Sequence, residues 1–190
     1  MNNTKKYLAL FDLDGTLFDT TEVNYLAYKY ALENNGNFFL DKDYYITSCN
    51  GKHYKEYLPN IINSNDSYLI EKIHTTKKIC YSSYLYAAKQ NIHLFEIIES
   101  LRNQYYIAIV TTASRKNTMD ILKHFQVEEF FDLIITHEDV KNVKPNPEGF
   151  LTAMKYFHIY PNNTIIFEDS DVGITAATSS KATVFKIENF

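Results

Sequence analysis

Phe11-Asp12-Leu13-Asp14-Gly15-Thr16-Leu17 follows directly on the apolar run from Tyr7 to Phe11. The run reads as a buried strand and the acidic segment as its exit. In extended backbone, residues two apart project to one side, so Asp12 and Asp14 are predicted to share a face while Leu13 turns inward. Neighbouring carboxylates repel, and packing gains nothing from the pair unless a cation or a proton separates them. Phosphoryl transfer uses such a pair: one carboxylate attacks phosphorus, the other manages the proton, and a divalent cation holds the charge.

Outward from this segment the pattern divides. Residues 17–89 carry almost no strand signal and read as a small helical lobe, whereas residues 1–16 and 90–190 read as an α/β core. In the lobe, Val23, Leu26, Ala27, Tyr30 and Ala31 recur at helical spacing, and Gly36 ends that helix. Further helices are predicted over 53–62, 66–74 and 75–90, with Pro59 and the cluster from Asn63 to Asp66 as punctuation. Beyond residue 90, helical stretches alternate with short apolar runs, Tyr106–Val110, Leu133–Thr136, Thr164–Phe167 and Val184–Ile187. Short β-branched runs separated by helices indicate a doubly wound parallel sheet, in which ligands bind at the carboxyl ends of the strands.

The 190 residues suffice for one substantial core, and 45% hydrophobic with 22% charged residues is ordinary for a globular protein. A net charge of −4 argues against nucleic acid or an anionic membrane as partner. The short polar stretch from Met1 to Lys6 predicts no secretory leader, and Cys49 and Cys80 form no metal or redox motif. A cytoplasmic location is therefore expected. The sequence does not fix the oligomeric state.

The strand exits carry the remaining polar chemistry. Thr111, Thr112 and Ser114 follow the second core strand and precede Arg115 and Lys116. His137, Glu138 and Asp139 follow the third and lead to Lys144-Pro145-Asn146-Pro147, where prolines stiffen the turn that carries the lysine. Glu168 and Asp169, a second acidic pair, follow the fourth, with Ser170, Asp171 and Gly173 after them. Nucleophile, proton donor, phosphate-binding hydroxyl, charge-balancing lysine and metal-binding acids are the set that phosphoryl transfer through a covalent intermediate requires.

In order and content, Asp12-Leu13-Asp14-Gly15-Thr16, Thr111, Lys144-Pro145-Asn146-Pro147 and Glu168-Asp169-Ser170 with Gly173 resemble the four motifs of the haloacid dehalogenase superfamily. They fit the branch whose helical cap is inserted after the first motif. The resemblance implies that Asp12 is the nucleophile, forming an aspartyl-phosphate, and that Asp14 is the general acid and base. It implies Mg²⁺ held by Asp12, the main-chain carbonyl of Asp14 and Asp169, with Glu168 as ligand or holder of a coordinated water. Thr111 then donates to phosphate, unless it merely caps the next helix, and Lys144 balances the charge. His137, Glu138 and Asp139 match nothing catalytic. A small phosphorylated metabolite is the implied partner.

Substrate selection is expected from Gly51 and Lys52 in the cap, with Asp19 at its entry and Thr112 as a further contact or a cap. A mutase of the β-phosphoglucomutase type shares the core motifs. Its usual cap histidine and its usual arginine three residues after the cap glycine are matched here by Asn24 and Tyr54, which favours hydrolysis of a phosphomonoester. A dehalogenase has no need of Asp14, and a non-enzymatic binding protein predicts decay of at least one motif. The family's usual Ala-Gly after the final helix is Ser180-Lys181 here.

Overall fold

The computed structural model describes residues 5–188. In chain order the elements are β1 (Tyr7–Phe11), β2 (Phe18–Asp19), α1 (Thr21–Asn34) and α2 (Lys42–Tyr44), which runs into a π-helical turn at Tyr45–Cys49. Next come α3 (Tyr54–Ile62), α4 (Ser67–Cys80), a 3-10 segment at Tyr81–Ala87, β3 (Lys89–Gln90), α5 (Ile92–Leu101), β4 (Tyr105–Val110) and α6 (Arg115–Phe125). The chain closes with β5 (Leu133–Ile135), α7 (Glu148–Phe157), β6 (Thr164–Glu168), α8 (Asp171–Ser179) and β7 (Thr183–Lys186). Two compact units result. One takes the chain up to Asp19 and from Lys89 onward; the other is Thr20–Ala88.

The first unit is an α/β fold on a five-stranded sheet of order β5-β4-β1-β6-β7, every neighbouring pair parallel. β1 is central because it is buried on both faces: Leu8, Ala9, Leu10 and Phe11 are all fully covered. Its register with Ile109 on β4 and Phe167 on β6, both opposite Phe11, brings three strand ends level. Phe150, Ala153 and Met154 of α7 and Ala176 and Ala177 of α8 pack with Leu8, Leu10 and Ile166 in one core.

The short strands β2 and β3 pair antiparallel, Phe18 with Gln90 and Asp19 with Lys89, at the two ends of the helical segment. No strand was expected between 17 and 89, because two-residue strands carry no readable period; tertiary closure of the two chain crossings forms them. Ser180 is buried, and Lys181 adopts a left-handed φ of 68°. That conformation explains why glycine is usual there, since a β-carbon costs about 1 kcal/mol in it.

The helical unit corrects one expected boundary. α3 ends where the expected 53–62 helix does, at Asn63 in the left-handed conformation, with Pro59 inside it and the Ser64 N–H on the Pro59 carbonyl at 3.1 Å. The expected break after residue 74 does not occur, because α4 is one helix with Ile70, Ile73 and Lys77 on its buried face. Thr76, whose β-branching weakens the helical signal, is absorbed by bonding its hydroxyl to the Lys72 carbonyl at 2.9 Å. The abundant tyrosines find a use here. Tyr25, Tyr28, Tyr45 and Tyr57 are core residues, and Tyr28 meets Tyr57 edge to face at 5.6 Å and 82°. Among the described residues, no helix is long and apolar enough to cross a membrane.

Tyr28 also bonds His74 Nδ1 at 2.9 Å, and the His74 ring stacks on Tyr54 at 3.7 Å. Burial, helped by Lys77 and Lys78, pushes the imidazole from its ordinary 6.5 down to about 4. The unfolded chain therefore takes up a proton near pH 6.5 that the folded chain refuses until about pH 4. Stability from this group is complete above 6.5 and is lost as the pH falls toward 4. Wild type is expected to lose about 1–2 kcal/mol more than His74→Gln over that window, a figure reduced for partial exposure of the ring. Urea unfolding at both pH values measures it; equal losses in the two proteins would refute it.

Candidate active site

Asp12 leaves β1 with its N–H on the Phe167 carbonyl at 3.0 Å, which continues the β1–β6 ladder by one residue. The chain then tightens. Leu17 and Phe18 both donate to the Leu13 carbonyl at 3.0 Å, and Gly15 donates to Phe18 at 2.8 Å with a φ of +92°. Leu13 turns inward as the alternation predicts, but a turn rather than a pleat sets the direction of Asp14. Extended backbone therefore ends at Asp12.

Asp12 is buried, and its carboxylate meets Lys144 Nζ at 2.5 Å; the same nitrogen meets Glu168 Oε1 at 2.5 Å. Carboxylate oxygens of Asp12, Glu168 and Asp169 lie within 4.8 Å of one another. The side chain of Asp14, whose expected contribution is its main-chain carbonyl, is not one of the three. Glu168 closes β6 with both oxygens engaged, since Oε2 accepts from the Ser170 N–H and hydroxyl at 3.1 Å each. Asp169 accepts from the Thr16 hydroxyl at 2.8 Å. Thr16 is fully buried, and its carbonyl accepts from the Asn91 side chain at 3.2 Å. Sequence reading gave Thr16 no role of its own, although it stands inside the segment that decides the fold.

Two glycines make room for these carboxylates. A β-carbon on Gly173 would stand 1.8 Å from Glu168 Oε1, and one on Gly15 would stand 2.2 Å from Asp169 Oδ2. Gly173 lies in α8, where alanine ordinarily stabilises by about 1 kcal/mol. Here Gly173→Ala is expected to destabilise by about 2 kcal/mol, because the carboxylate must yield to the methyl group. A rise in thermal midpoint would contradict that close approach.

Lys144 is held by its loop. Glu148, at the start of α7, accepts from the Lys141 N–H at 2.8 Å, the Asn142 N–H at 3.0 Å and the Asn142 side chain at 2.9 Å. The ammonium group also lies 5.0 Å from the centre of the Phe150 ring. Thr111 is buried, its N–H on the Ile135 carbonyl at 2.9 Å and its hydroxyl accepting the Ala113 N–H at 3.0 Å. Ser114, not Thr111, caps α6, accepting from the Asn117 N–H at 3.2 Å. Thr111 and Thr112 line one small cavity with Lys144. Arg115 is paired with Asp139.

Asp19, on β2, forms a loose ion pair with Lys89 at 3.8 Å. Gly51 and Lys52 belong to the helical unit. They form an exposed turn after the π-helical segment, Gly51 at a φ of +78° and the Lys52 N–H on the Cys49 carbonyl at 3.0 Å.

Three carboxylates against one ammonium leave the centre with excess negative charge. Burial pushes the Asp12 carboxyl well up, with Glu168 and Asp169 adding to the rise and Lys144 opposing it. Burial alone would lower Lys144, yet Asp12 and Glu168 hold it above its ordinary value. Asp169 is also raised, by burial first and then by Glu168 against the Thr16 bond. Hard oxygen donors with uncompensated charge fit a divalent cation such as Mg²⁺.

The haloacid dehalogenase-like hydrolase family model matches residues 9–187. The phosphorylated carbohydrates phosphatase of Thermotoga maritima is 28% identical over 177 residues, covering 90% of this chain and 80% of that protein. The pyrophosphatase PpaX of Halalkalibacterium halodurans is 31% identical over 167 residues, covering 85% and 74%. A crystal structure of a HAD hydrolase, family IA, variant 3, from Entamoeba histolytica superposes with a TM-score of 0.83 at 26% identity, over 96% of this chain and 84% of that one.

Proposed function

The chain belongs to the haloacid dehalogenase-like hydrolases, and we propose that within that family it is a Mg²⁺-dependent phosphatase of small phosphomonoesters, sugar phosphates foremost, working in the cytoplasm. The unit built from the chain up to Asp19 and from Lys89 onward serves as the phosphoryl-transfer core and Thr20–Ala88 as the cap, three residues beyond the expected 1–16 boundary at one crossing and one residue before the expected 90–190 boundary at the other. The reading is carried by a buried nucleophile-ready carboxylate, Asp12, clamped by Lys144 beside two further acids. The activity of the Thermotoga maritima relative on phosphorylated carbohydrates, as its name states it, supports the substrate class.

In this reading an Asp12 oxygen attacks phosphorus and the bond to the ester oxygen breaks. Asp14 gives its proton to the departing alcohol, which leaves an aspartyl-phosphate on Asp12. Asp14, now a carboxylate, takes a proton from water as that water attacks phosphorus, and the phosphorus bond to Asp12 breaks to release inorganic phosphate. Lys144 balances the charge on Asp12 and on the transferring group, and the Thr111 hydroxyl donates to a phosphate oxygen. A divalent cation held by Asp12, Asp169 and the Asp14 carbonyl, with Glu168 as ligand or water holder, supplies the positive charge that lets a dianion approach a carboxylate. Gly51, Lys52, Asp19 and Thr112 are assigned to substrate selection.

The mutase alternative loses ground at Tyr54. Its hydroxyl is engaged with Glu71 at 2.8 Å and its ring with His74, so it does not replace an arginine as a phosphate ligand. A panel of phosphomonoesters, assayed with and without Mg²⁺, tests the proposal. Phosphate release that needs the metal supports it. Isomerisation of a sugar phosphate without release would return the mutase.

A further inference from the structure

The triplet His137-Glu138-Asp139 follows β5 and takes no part in the chemistry above, yet it is tied at several points to residues 111–115. One Asp139 oxygen accepts from the Thr136 N–H and hydroxyl, both at 2.8 Å, and from the Arg115 guanidinium at 2.5 Å. The same Arg115 nitrogen reaches the Ile134 carbonyl at 3.3 Å. Glu138 accepts the Arg115 N–H at 3.0 Å, and the His137 ring meets the Ala113 carbonyl at 3.2 Å. With the Thr111 N–H on Ile135, the segment is fastened at its beginning, middle and end to the exit of one edge strand.

A link between a strand and a helix does not need this many ties. Thr136, at the centre of them, is fully buried although β5 has only three residues. Burial raises Asp139, but the bonds from Thr136 and Arg115 outweigh it and hold the carboxyl below its ordinary range. Electrostatic catalysis rewards such fixation, because donors that are already in place need no reorganisation when charge develops.

We propose that Asp139 is a positioning residue: through Arg115 and Thr136 it fixes the segment that presents Thr111 and Thr112 to the phosphoryl group. This rests on the phosphatase reading. Asp139 acts through the segment and not on phosphorus.

The test compares wild type, Asp139→Ala, Arg115→Ala and the double variant. It follows Mg²⁺-dependent release kinetics, inorganic phosphate binding by calorimetry, and thermal midpoint. Asp139→Ala is expected to weaken phosphate binding about tenfold and to raise KM more than it lowers kcat, the scale of a modest misplacement of binding groups. The double variant should bind phosphate within about twofold of Asp139→Ala, since both changes cut one tie. A loss of thermal midpoint with phosphate affinity and KM unchanged would reduce Asp139 to a structural role and overturn the proposal. Should Asp139→Ala not fold, Asp139→Asn keeps an acceptor for Thr136 and should still bind phosphate more weakly; unchanged binding there overturns it equally. A wild type that releases phosphate from no ester would remove the phosphatase reading, and this proposal with it.

Discussion

Asp12→Asn is expected to leave phosphate release roughly a thousandfold or more below wild type while the protein stays folded. The amide cannot attack phosphorus, so the covalent step is lost. Stability should not fall with it. In wild type, burial, Glu168 and Asp169 all act against an ionised Asp12, and Lys144 favours it. A neutral side chain of the same shape removes that repulsion and leaves Lys144 paired with Glu168. Without divalent metal the variant is therefore expected to be about 1 kcal/mol more stable than wild type near neutral pH. Assays on the best ester, beside thermal melts in chelator, measure both. Wild-type turnover in Asp12→Asn would mean another group is the nucleophile. A lost fold would mean that the charge of Asp12 is itself structural.

Lys144→Met carries the second large effect, and in the opposite sense for stability. Methionine keeps the length of the side chain but leaves Asp12, Glu168 and Asp169 facing one another without a cation from the protein. Breaking a buried pair from one side costs about 3 kcal/mol or more, and turnover should fall by about two to three orders of magnitude. The pH dependence has a definite sign. The folded Asp12 carboxyl sits well above its ordinary 3.8, so the folded chain holds a proton that the unfolded chain has released. Stability falls as the pH rises above 3.8, and without Lys144 it falls further. Acid should therefore narrow the gap between variant and wild type, and Mg²⁺ should raise the variant's thermal midpoint more than it raises that of wild type. Equal Mg²⁺ shifts in the two proteins would show that the lysine and the cation do not serve the same charge.

The helix boundaries show where periodicity stops informing. Proline and β-branched residues weaken a helical signal, yet Pro59 and Thr76 both sit inside helices whose buried faces override it. The strands β2 and β3 have no local signature because two residues cannot display a period. The candidate site was more legible than the boundaries. A sheet of this kind delivers its strand exits to one rim, so an acid, a hydroxyl or a lysine just after an apolar run is readable from order alone.

The parallel α/β class, the helical segment inserted after the first strand and the residues proposed for phosphoryl transfer are all legible in the sequence. Those depend on hydrophobic period and on residue chemistry, which are local. Three-dimensional packing reveals that Lys144 bridges Asp12 and Glu168, that Gly173 and Gly15 are empty space for carboxylates, that Thr16 holds Asp169, and that Asp139 ties down the Thr111 segment. Each of these joins residues far apart in the chain or depends on how closely two elements approach. Such distances are fixed by packing across the sheet, and no residue's neighbours in sequence record them.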